Sequence, residues 1–595
     1  MDESPSGFFL FSSATPISLL CPLNLLYRVS MKVDQVNQGV RIASPVANLY
    51  DRFSASVKTY ADRPALKADG AKGETYTYAE ANRLIAMGGV ILSAIDEPLI
   101  GLVGENKPEW PMAYLAILAA GKTVVPIDPN LKPAEITKII DHSGLTTVIA
   151  SEKSLSSLSG TSTPLTILHL DSDSPKYWLN QPVNTVEKKP ALVNETAVII
   201  YTSGTTGDPK AVELTHRNLI ANLTGIEDAL HFGPSDVFLS ILPLHHTFEA
   251  SCGFLTPLMN GCCIVYARSL KSRDILDDIL ANAVTIMCGV PLVYEKMYHA
   301  IRRETAKASI FKRTLFWSLF GLSRASRLLN IKAGVSLFRG FREKAGLASI
   351  RMFVSGGAPL PRTVSRFFNL VGFDFMQGYG LTECSPVVSV NRPDDNRFGS
   401  VGPPLCNVEV RINSPNADGI GEICVRAEST TPGYRGNPER TAELLRDGWL
   451  YTGDLGHISH GHLWITGRAK NVIISSAGKN IYPEELEDHL LQSPYIMETV
   501  VVGRRQPNGG ETVWAVVVPD LERCQLDHRI DPVKPDIEQV RTVLAREVAH
   551  VNAHMAEYKR ISGFDISLVE LEKTSTKKIN RQLYTSGSPS SNPPT

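Results

Sequence analysis

Residues 201–210 read Tyr-Thr-Ser-Gly-Thr-Thr-Gly-Asp-Pro-Lys. Thr202, Ser203, Gly204, Thr205, Thr206, Gly207 and Lys210 therefore offer hydroxyls, backbone amides and one ammonium to a single anion. The apolar run Ala197–Tyr201 comes immediately before, and helix-like sequence resumes after Thr215, a residue suited to capping. A phosphate-cradling loop at the end of a strand follows. A P-loop NTPase would need G-x-x-x-x-G-K-[ST], with a hydroxyl after the lysine. Asp208-Pro209 interrupt that spacing and Ala211 follows Lys210, so the Walker reading fails. A turn that merely links two elements would account for three or four such residues, but not for ten in this order.

This loop resembles the signature [YF]-T-S-G-[ST]-T-G-x-P-K of the adenylate-forming superfamily, which includes acyl-CoA synthetases, peptide-synthetase adenylation domains and luciferases. Further stations of that family's pattern follow in order. SGGAPL, 355–360, is a small-residue turn against which a flat base can lie. The resemblance implies adenine contacts by Gly357, Ala358 and Pro359. In QGYGLTE, 377–383, Tyr379 offers an aromatic face to the base, Thr382 a hydroxyl to phosphate, and Glu383 a hard oxygen ligand to Mg²⁺. Asp454 in YTGDLG and Arg468 in GRAK match the ribose contacts. Lys470 matches the hinge position, where one residue absorbs the rotation between two working conformations. Gly478 and Lys479 match contacts on the thioester-forming side. LEKTSTKKINR, 571–581, resembles the catalytic-lysine segment P-K-T-x-[TS]-G-K-I-x-R, with Lys578 aligned to the lysine. Glu572 and Lys577 depart from it, and Lys577 sets a second cation beside the first. His245-His246 in LPLHHTFE invite a metal reading, but no carboxylate or thiol sits at ligand spacing. The resemblance puts His246 beside the reacting carboxylate. His457, His460 and His462 cluster where a turn is expected and read as solvated.

The resemblance implies that Mg·ATP converts a carboxylic acid to an acyl-adenylate, whose acyl group then passes to coenzyme A. Lys578, Lys210 and the loop hydroxyls would neutralise charge on phosphate oxygens. The segments LFWSLFGLSRASRLL and LFRGFREKAGL, with LPLHHTFE and GKNIYPEELE, are similar to bacterial-type long-chain fatty acyl-CoA synthetases and point to medium or long fatty acids. Three alternatives share these motifs: an acyl-ACP ligase, a fatty acyl-AMP ligase, and a catalytically silent relative that only binds nucleotide or acyl chain.

The elements that must position these residues read as α/β. Helical periodicity alternates with short apolar runs at Leu99–Val103, Thr123–Ile127 and Thr147–Ala150. The expected architecture is a large multi-subdomain domain over 31–468 followed by a small, mobile α+β lid over 469–585. In the lid, 500–503 and 513–519 read as strands and 537–555 as a helix. Residues 1–30 read as a disordered or mis-assigned leader, and the Ser/Pro-rich stretch 586–595 as a disordered tail. With 60 basic and 61 acidic residues, no overall field favours nucleic acid. Nine scattered cysteines without metal spacing fit a reducing, cytoplasmic setting, and Cys262-Cys263 read as buried core thiols. The Lys/Arg- and Leu/Phe-rich helical segment 295–347 reads as a solvated basic face over an ordinary core face, and it leaves room for a peripheral membrane contact. A homodimer is compatible with all of this.

Overall fold

The computed structural model describes residues 48–68, 73–161, 163–174, 176–180, 191–202, 210–329, 331–476, 478–505, 510–573 and 579–585. The expected leader over 1–30 and tail over 586–595 lie outside them.

Short apolar runs become parallel strands that are covered on both faces. Leu99–Val103 is buried at every position, which a strand of the sequence LIGLV achieves only inside a sheet with helices on either side. It is central in a seven-stranded sheet ordered Gly433–Tyr434, Lys210–Thr215, Thr196–Thr202, Thr123–Ile127, Leu99–Val103, Thr147–Ala150, Thr166–His169. Helix Glu109–Ala119 packs against its neighbours around nearly its whole circumference, consistent with its uniformly apolar sequence. An eight-stranded sheet follows in the order Val387–Val390, Asp374–Gly380, Met352–Ser355, Ile286–Gly289, Val237–Ser240, Cys263–Tyr266, Pro64–Lys67, Thr75–Thr77. Its centre is parallel and its two ends are antiparallel. A third, antiparallel sheet comprises Val408–Asn413, Gly421–Ala427, Trp449–Ser459 and Leu445–Arg446, with His462–Arg468 hairpinned onto Trp449–Ser459. One continuous buried core joins residues from all three sheets.

Beyond residue 472 the chain builds a separate core around Leu486, Val501, Val517, Val540 and Leu544. Strands Ile496–Arg505, Glu511–Pro519 and Gly563–Ile566 form its sheet, and helix Ile537–Ala553 covers it. The sequence reading assigns no element to Lys210–Thr215; it forms a second strand, antiparallel to Thr196–Thr202, and leads directly into the expected helix. The anticipated cap holds: Thr215 Oγ1 accepts from Asn218 N at 3.1 Å, and Asn218 Oδ1 accepts from Thr215 N at 2.8 Å, opening helix His216–Leu230.

The histidine cluster differs from the solvated turn expected. His460 sits at the turn with φ of 50°. His457 and His462 lie on the flanking strands, and His462 is buried with Nε2 3.2 Å from Asp395 Oδ1. His462 is the first residue of its strand, so only one of the three is a turn residue.

Candidate active site

The hairpin that carries the phosphate-loop sequence closes with Thr202 paired to Lys210. Ser203, Gly204, Thr205, Thr206 and Gly207 lie outside the described residues. Lys210 emerges beside a tyrosine that sequence reasoning missed: its Nζ stands 5.2 Å from the ring centroid of Tyr434. Tyr434 comes from a two-residue strand added to the edge of the hairpin, where it pairs with Val212. Its hydroxyl donates to Glu383 Oε1 at 2.8 Å. Burial and then the Glu383 charge push the phenol pKa well up, so it remains a donor. Lys210, Tyr434 and Glu383 thus form one run of contacts across 224 positions of chain. The only local sign of Tyr434 was a lone aromatic among the Pro and Gly of PGYRG.

Glu383 and Thr382 occupy a short 3₁₀ turn, Thr382–Cys384, after strand Asp374–Gly380. Thr431 N donates to the Glu383 carbonyl at 2.8 Å. Asn222 Nδ2, inside the helix that Thr215 caps, donates to the carbonyls of Cys384 and Val387 at 3.2 and 2.8 Å. Thr382 Oγ1 is 3.0 Å from Thr247 Oγ1. The turn is therefore held by groups outside itself. Its one carboxylate suits Mg²⁺, which keeps several waters and takes its other ligands from substrate phosphates.

A second cluster surrounds Asp454, 5% exposed. Tyr379 Oη donates to Asp454 Oδ2 at 2.7 Å, and Arg468 Nε forms an ion pair with Oδ1 at 2.8 Å. Asp454 and Arg468 are cross-strand partners in the hairpin of the third sheet, while Tyr379 pairs with Ser389 in the eight-stranded sheet. Two sheets thus converge on one carboxylate. Burial, then the Asp454 charge, push the Tyr379 phenol well up. Lys470 follows on the exposed turn Ala469–Asn471. Partial desolvation, then the cations Arg468 and Lys210, lower its pKa. Lys210 of the first cluster therefore borders the second.

Gly357 has φ of +85°, in the left-handed region glycine adopts freely, and its Cβ position faces almost open space. Ala358 and Pro359 follow on the surface of the same turn. A Cβ on Gly356 would come within 3.2 Å of Phe248 Cζ, so the turn lies directly against the segment after the paired histidines.

His245 and His246 have ring centroids 4.3 Å apart. His245 Nε2 lies 3.5 Å from Asp128 Oδ2. Burial acts to raise the Asp128 carboxyl, but His245 and the Asn130 hydrogen bonds outweigh it and hold the group well below the usual range. His246 is half-buried. Two residues that the sequence did not single out brace this turn. Asn106 Nδ2 donates to Leu242 O at 2.5 Å and to Ser240 Oγ at 3.2 Å, and Asn106 Oδ1 accepts from Leu244 N at 3.1 Å. Ser240 Oγ in turn donates to Glu249 Oε1 at 2.6 Å. Glu249, 1% exposed, opens the π-helix Glu249–Leu255, and burial pushes its carboxyl up to about 8. It is a neutral acid at pH 7.

Gly478, with φ of 70°, and Lys479 form the tight turn between Ile473–Ile474 and Asn480–Ile481, where Ser475 N donates to Lys479 O at 3.0 Å. Among the described residues no hydrogen bond or ion pair joins this turn to the Asp454 cluster. Lys578 lies outside the described residues, as does Lys577. Their flanks are fixed: Lys573 bridges Ile579, Asn580 N donates to Glu572 O at 2.9 Å, and Arg581 Nη1 donates to Glu487 Oε1 at 2.6 Å.

The AMP-binding enzyme family matches residues 53–435, and the AMP-binding enzyme C-terminal domain matches 485–578. The chain is 30% identical to Long chain acyl-CoA synthetase 7, peroxisomal, of Arabidopsis thaliana, over 77% of this chain and 72% of that protein. It is likewise 30% identical to the Long-chain-fatty-acid--CoA ligase of Escherichia coli O157:H7, over 79% and 85%. In fold it is similar to the anthranilate CoA ligase AuaEII in complex with anthranoyl-AMP, with a TM-score of 0.73 and 22% identity over 91% of this chain and 97% of that one. ATP-bound MatB from Rhodopseudomonas palustris gives a TM-score of 0.71 at 24% identity over 91% and 98%.

Proposed function

We propose that this chain, which belongs to the AMP-binding enzyme family, uses ATP to turn a fatty acid into its acyl-adenylate and then passes the acyl group to the thiol of coenzyme A. The observation that carries the reading is the convergence of Tyr379 and Arg468 on Asp454, within reach of the Lys210–Tyr434–Glu383 run. An ionised carboxylate with free lone pairs can accept hydrogen bonds from vicinal ribose hydroxyls, and an aromatic ring beside it can receive the base.

A carboxylate resists nucleophilic attack because its leaving group would be oxide. Its oxygen instead attacks the α-phosphorus of ATP, the bond to the β-phosphate oxygen breaks, and pyrophosphate leaves. Thr202, the loop hydroxyls, Lys210 and Lys578 offset the charge that gathers on the phosphate oxygens. Glu383 and the phosphates would hold Mg²⁺, which supplies Lewis-acid neutralisation when bound. Tyr434 fixes the Glu383 carboxylate, and the turn braced by Asn106 sets His246 beside the acyl carboxylate. The thiol of coenzyme A then attacks the acyl carbonyl, and AMP leaves with the electrons of the broken C–O bond.

In this reading residues 31–468 form the body and 469–585 a lid that turns about Lys470. The separate core beyond residue 472 supports such a division. Rotation withdraws Lys578 and brings Gly478 and Lys479 toward the acyl group. Medium to long chains are favoured by the names of the relatives above, and a peripheral membrane contact would suit such substrates.

The test is a ladder of C2 to C18 acids with purified protein, ATP and Mg²⁺, following pyrophosphate release and thioester formation separately. Both products, with the highest rates at C10 to C18, are expected. Pyrophosphate without a thioester would point to an acyl-AMP or carrier-protein ligase, and no pyrophosphate with any acid would defeat the enzymatic reading. Lys578→Ala should abolish adenylate formation while Lys577→Ala retains it.

A further inference from the structure

Helix Ile310–Ser326 has two apolar stripes where an ordinary surface helix has one. The inward stripe is Phe316, Leu319 and Phe320, packed on Phe338, Phe341 and Phe367. The second faces solvent. Phe311, Leu315 and Leu322 recur at intervals of four and seven, which places them on one line along a helix. Continued through the 3₁₀ turn Arg327–Leu329, the same spacing reaches Leu329. Phe311 is 77% exposed and Leu329 74%. Ile310, Trp317 and Leu328 are exposed alongside, Leu328 at 88%. The helix runs about 25 Å, so this is a continuous ridge and not a scatter of single residues.

Its charge is as one-sided as its apolarity. From 305 to 342 the chain has eight Lys and Arg and no Asp or Glu, against a net charge of −1 for the whole protein. Lys332 and Arg339 are neutralised by Asp374 and Glu343. Among the described residues, no acidic side chain pairs with the exposed Lys312, Arg313 or Arg324. These three flank the apolar ridge. An apolar line bordered by unpaired cations, with a tryptophan at its edge, matches the acyl-headgroup boundary of an anionic bilayer. No described helix is long and apolar enough to cross a membrane, which agrees with a helix that lies in the interface plane.

We propose that the outer face of helix 310–326 and the turn after it form a docking surface for anionic phospholipid bilayers. The helix lies along the headgroup boundary, with Phe311, Leu315, Leu322 and Leu329 entering the acyl region and Lys312, Arg313 and Arg324 meeting phosphates. The surface deepens the proposed membrane contact but does not depend on the catalytic reading, since it binds lipid without ATP or acid.

The test uses the full chain and co-sedimentation with vesicles of phosphatidylcholine alone or with phosphatidylglycerol, without nucleotide. Binding should require the anionic lipid and weaken as salt rises. Phe311→Ser with Leu329→Ser, and separately Arg313→Gln with Arg324→Gln, should each lower vesicle partitioning about tenfold or more. Thermal melting and pyrophosphate release with a water-soluble medium-chain acid should be unchanged, which separates lost docking from misfolding or lost catalysis. Three results would overturn the proposal: wild-type protein that ignores anionic vesicles, variants that bind them as well as wild type, or a wild-type dimer in light scattering that the apolar variant converts to monomer while vesicle binding persists. A protein that docks normally yet releases no pyrophosphate would refute the enzymatic reading and leave the surface standing.

Discussion

Glu249→Gln should make the protein more stable at neutral pH, and the gain should grow with pH. Glu249 is buried, accepts from Ser240 through one oxygen, and has no hydrogen-bond partner for the other. Burial holds its proton until about pH 8, against the ordinary glutamate value of 4.5. The folded protein therefore keeps a proton that the unfolded chain releases above pH 4.5. A raised carboxyl gives its full stability below the unfolded value and loses it progressively as pH climbs to the folded one. The loss is about 1.4 kcal/mol for each pH unit in that window, or about 3 kcal/mol from pH 5 to pH 7.5. Glutamine is the neutral isostere. Its carbonyl accepts the same Ser240 hydrogen bond, and any cost of burying its amide does not depend on pH. The diagnostic is thus the slope and not the offset. Urea titrations of both proteins at half-unit steps from pH 5 to 8 should give a stability difference that widens steadily in favour of the variant. Parallel curves would mean that the carboxyl ionises in the fold and would falsify the buried neutral acid.

Three other outcomes follow from the geometry. Tyr434→Phe removes one hydrogen bond to a carboxylate, worth about 1.5–3 kcal/mol, and should lower kcat/KM for ATP in pyrophosphate release about tenfold with little change in melting temperature; an unchanged value would sever the proposed link from Lys210 to Glu383. Asp454→Asn sets an amide donor against Tyr379 or Arg468, and KM for ATP should rise at least tenfold, while equal nucleotide affinity by calorimetry would exclude a ribose role. Arg581→Ala leaves Glu487, pushed up to about 7 mainly by burial, without the guanidinium that Oε1 meets at 2.6 Å. Losing one partner of this half-buried pair removes a hydrogen bond between charged groups, about 1.5–3 kcal/mol, so limited proteolysis should attack the segment beyond residue 472 first, and uniform resistance would contradict that.

Leu99–Val103, Thr123–Ile127 and Thr147–Ala150 were legible to the residue because parallel strands buried on both faces must be uninterrupted apolar runs. Lys210–Thr215 was not: KAVELT mixes charged and apolar residues because one end borders the loop, and the strong cap at Thr215 draws attention to the helix instead. His462 shows the same limit from another side, since three histidines near a glycine look like a turn until strand pairing takes up two of them. In the site, residues embedded in long motifs were readable. Tyr434 and Asn106 were not, because each acts on a motif from far along the chain, and although Thr247 and Glu249 stand inside LPLHHTFE, their partners Thr382 and Ser240 are set only by the fold. Asn106 reaches Leu242 and Leu244 across more than 130 positions, and no local pattern encodes such a contact.

The placement of Asp454 and Arg468 also bears on the proposed hinge. They are held opposite each other by the backbone pairing of one hairpin, and Arg468 is the last residue of its strand. Lys470 follows two residues later, outside that pairing. A rotation beginning at Lys470 therefore leaves the Asp454–Arg468 pair intact, because the hydrogen bonds that align the two strands lie entirely on the body side. Had the pivot fallen two residues earlier, each swing would have broken a 2.8 Å ion pair to a nearly buried carboxylate. On the proposed reading, the adenosine end would therefore stay with this one hairpin while the segment beyond it, which carries Gly478, Lys479 and Lys578, turns, and two successive half-reactions would share a single nucleotide site.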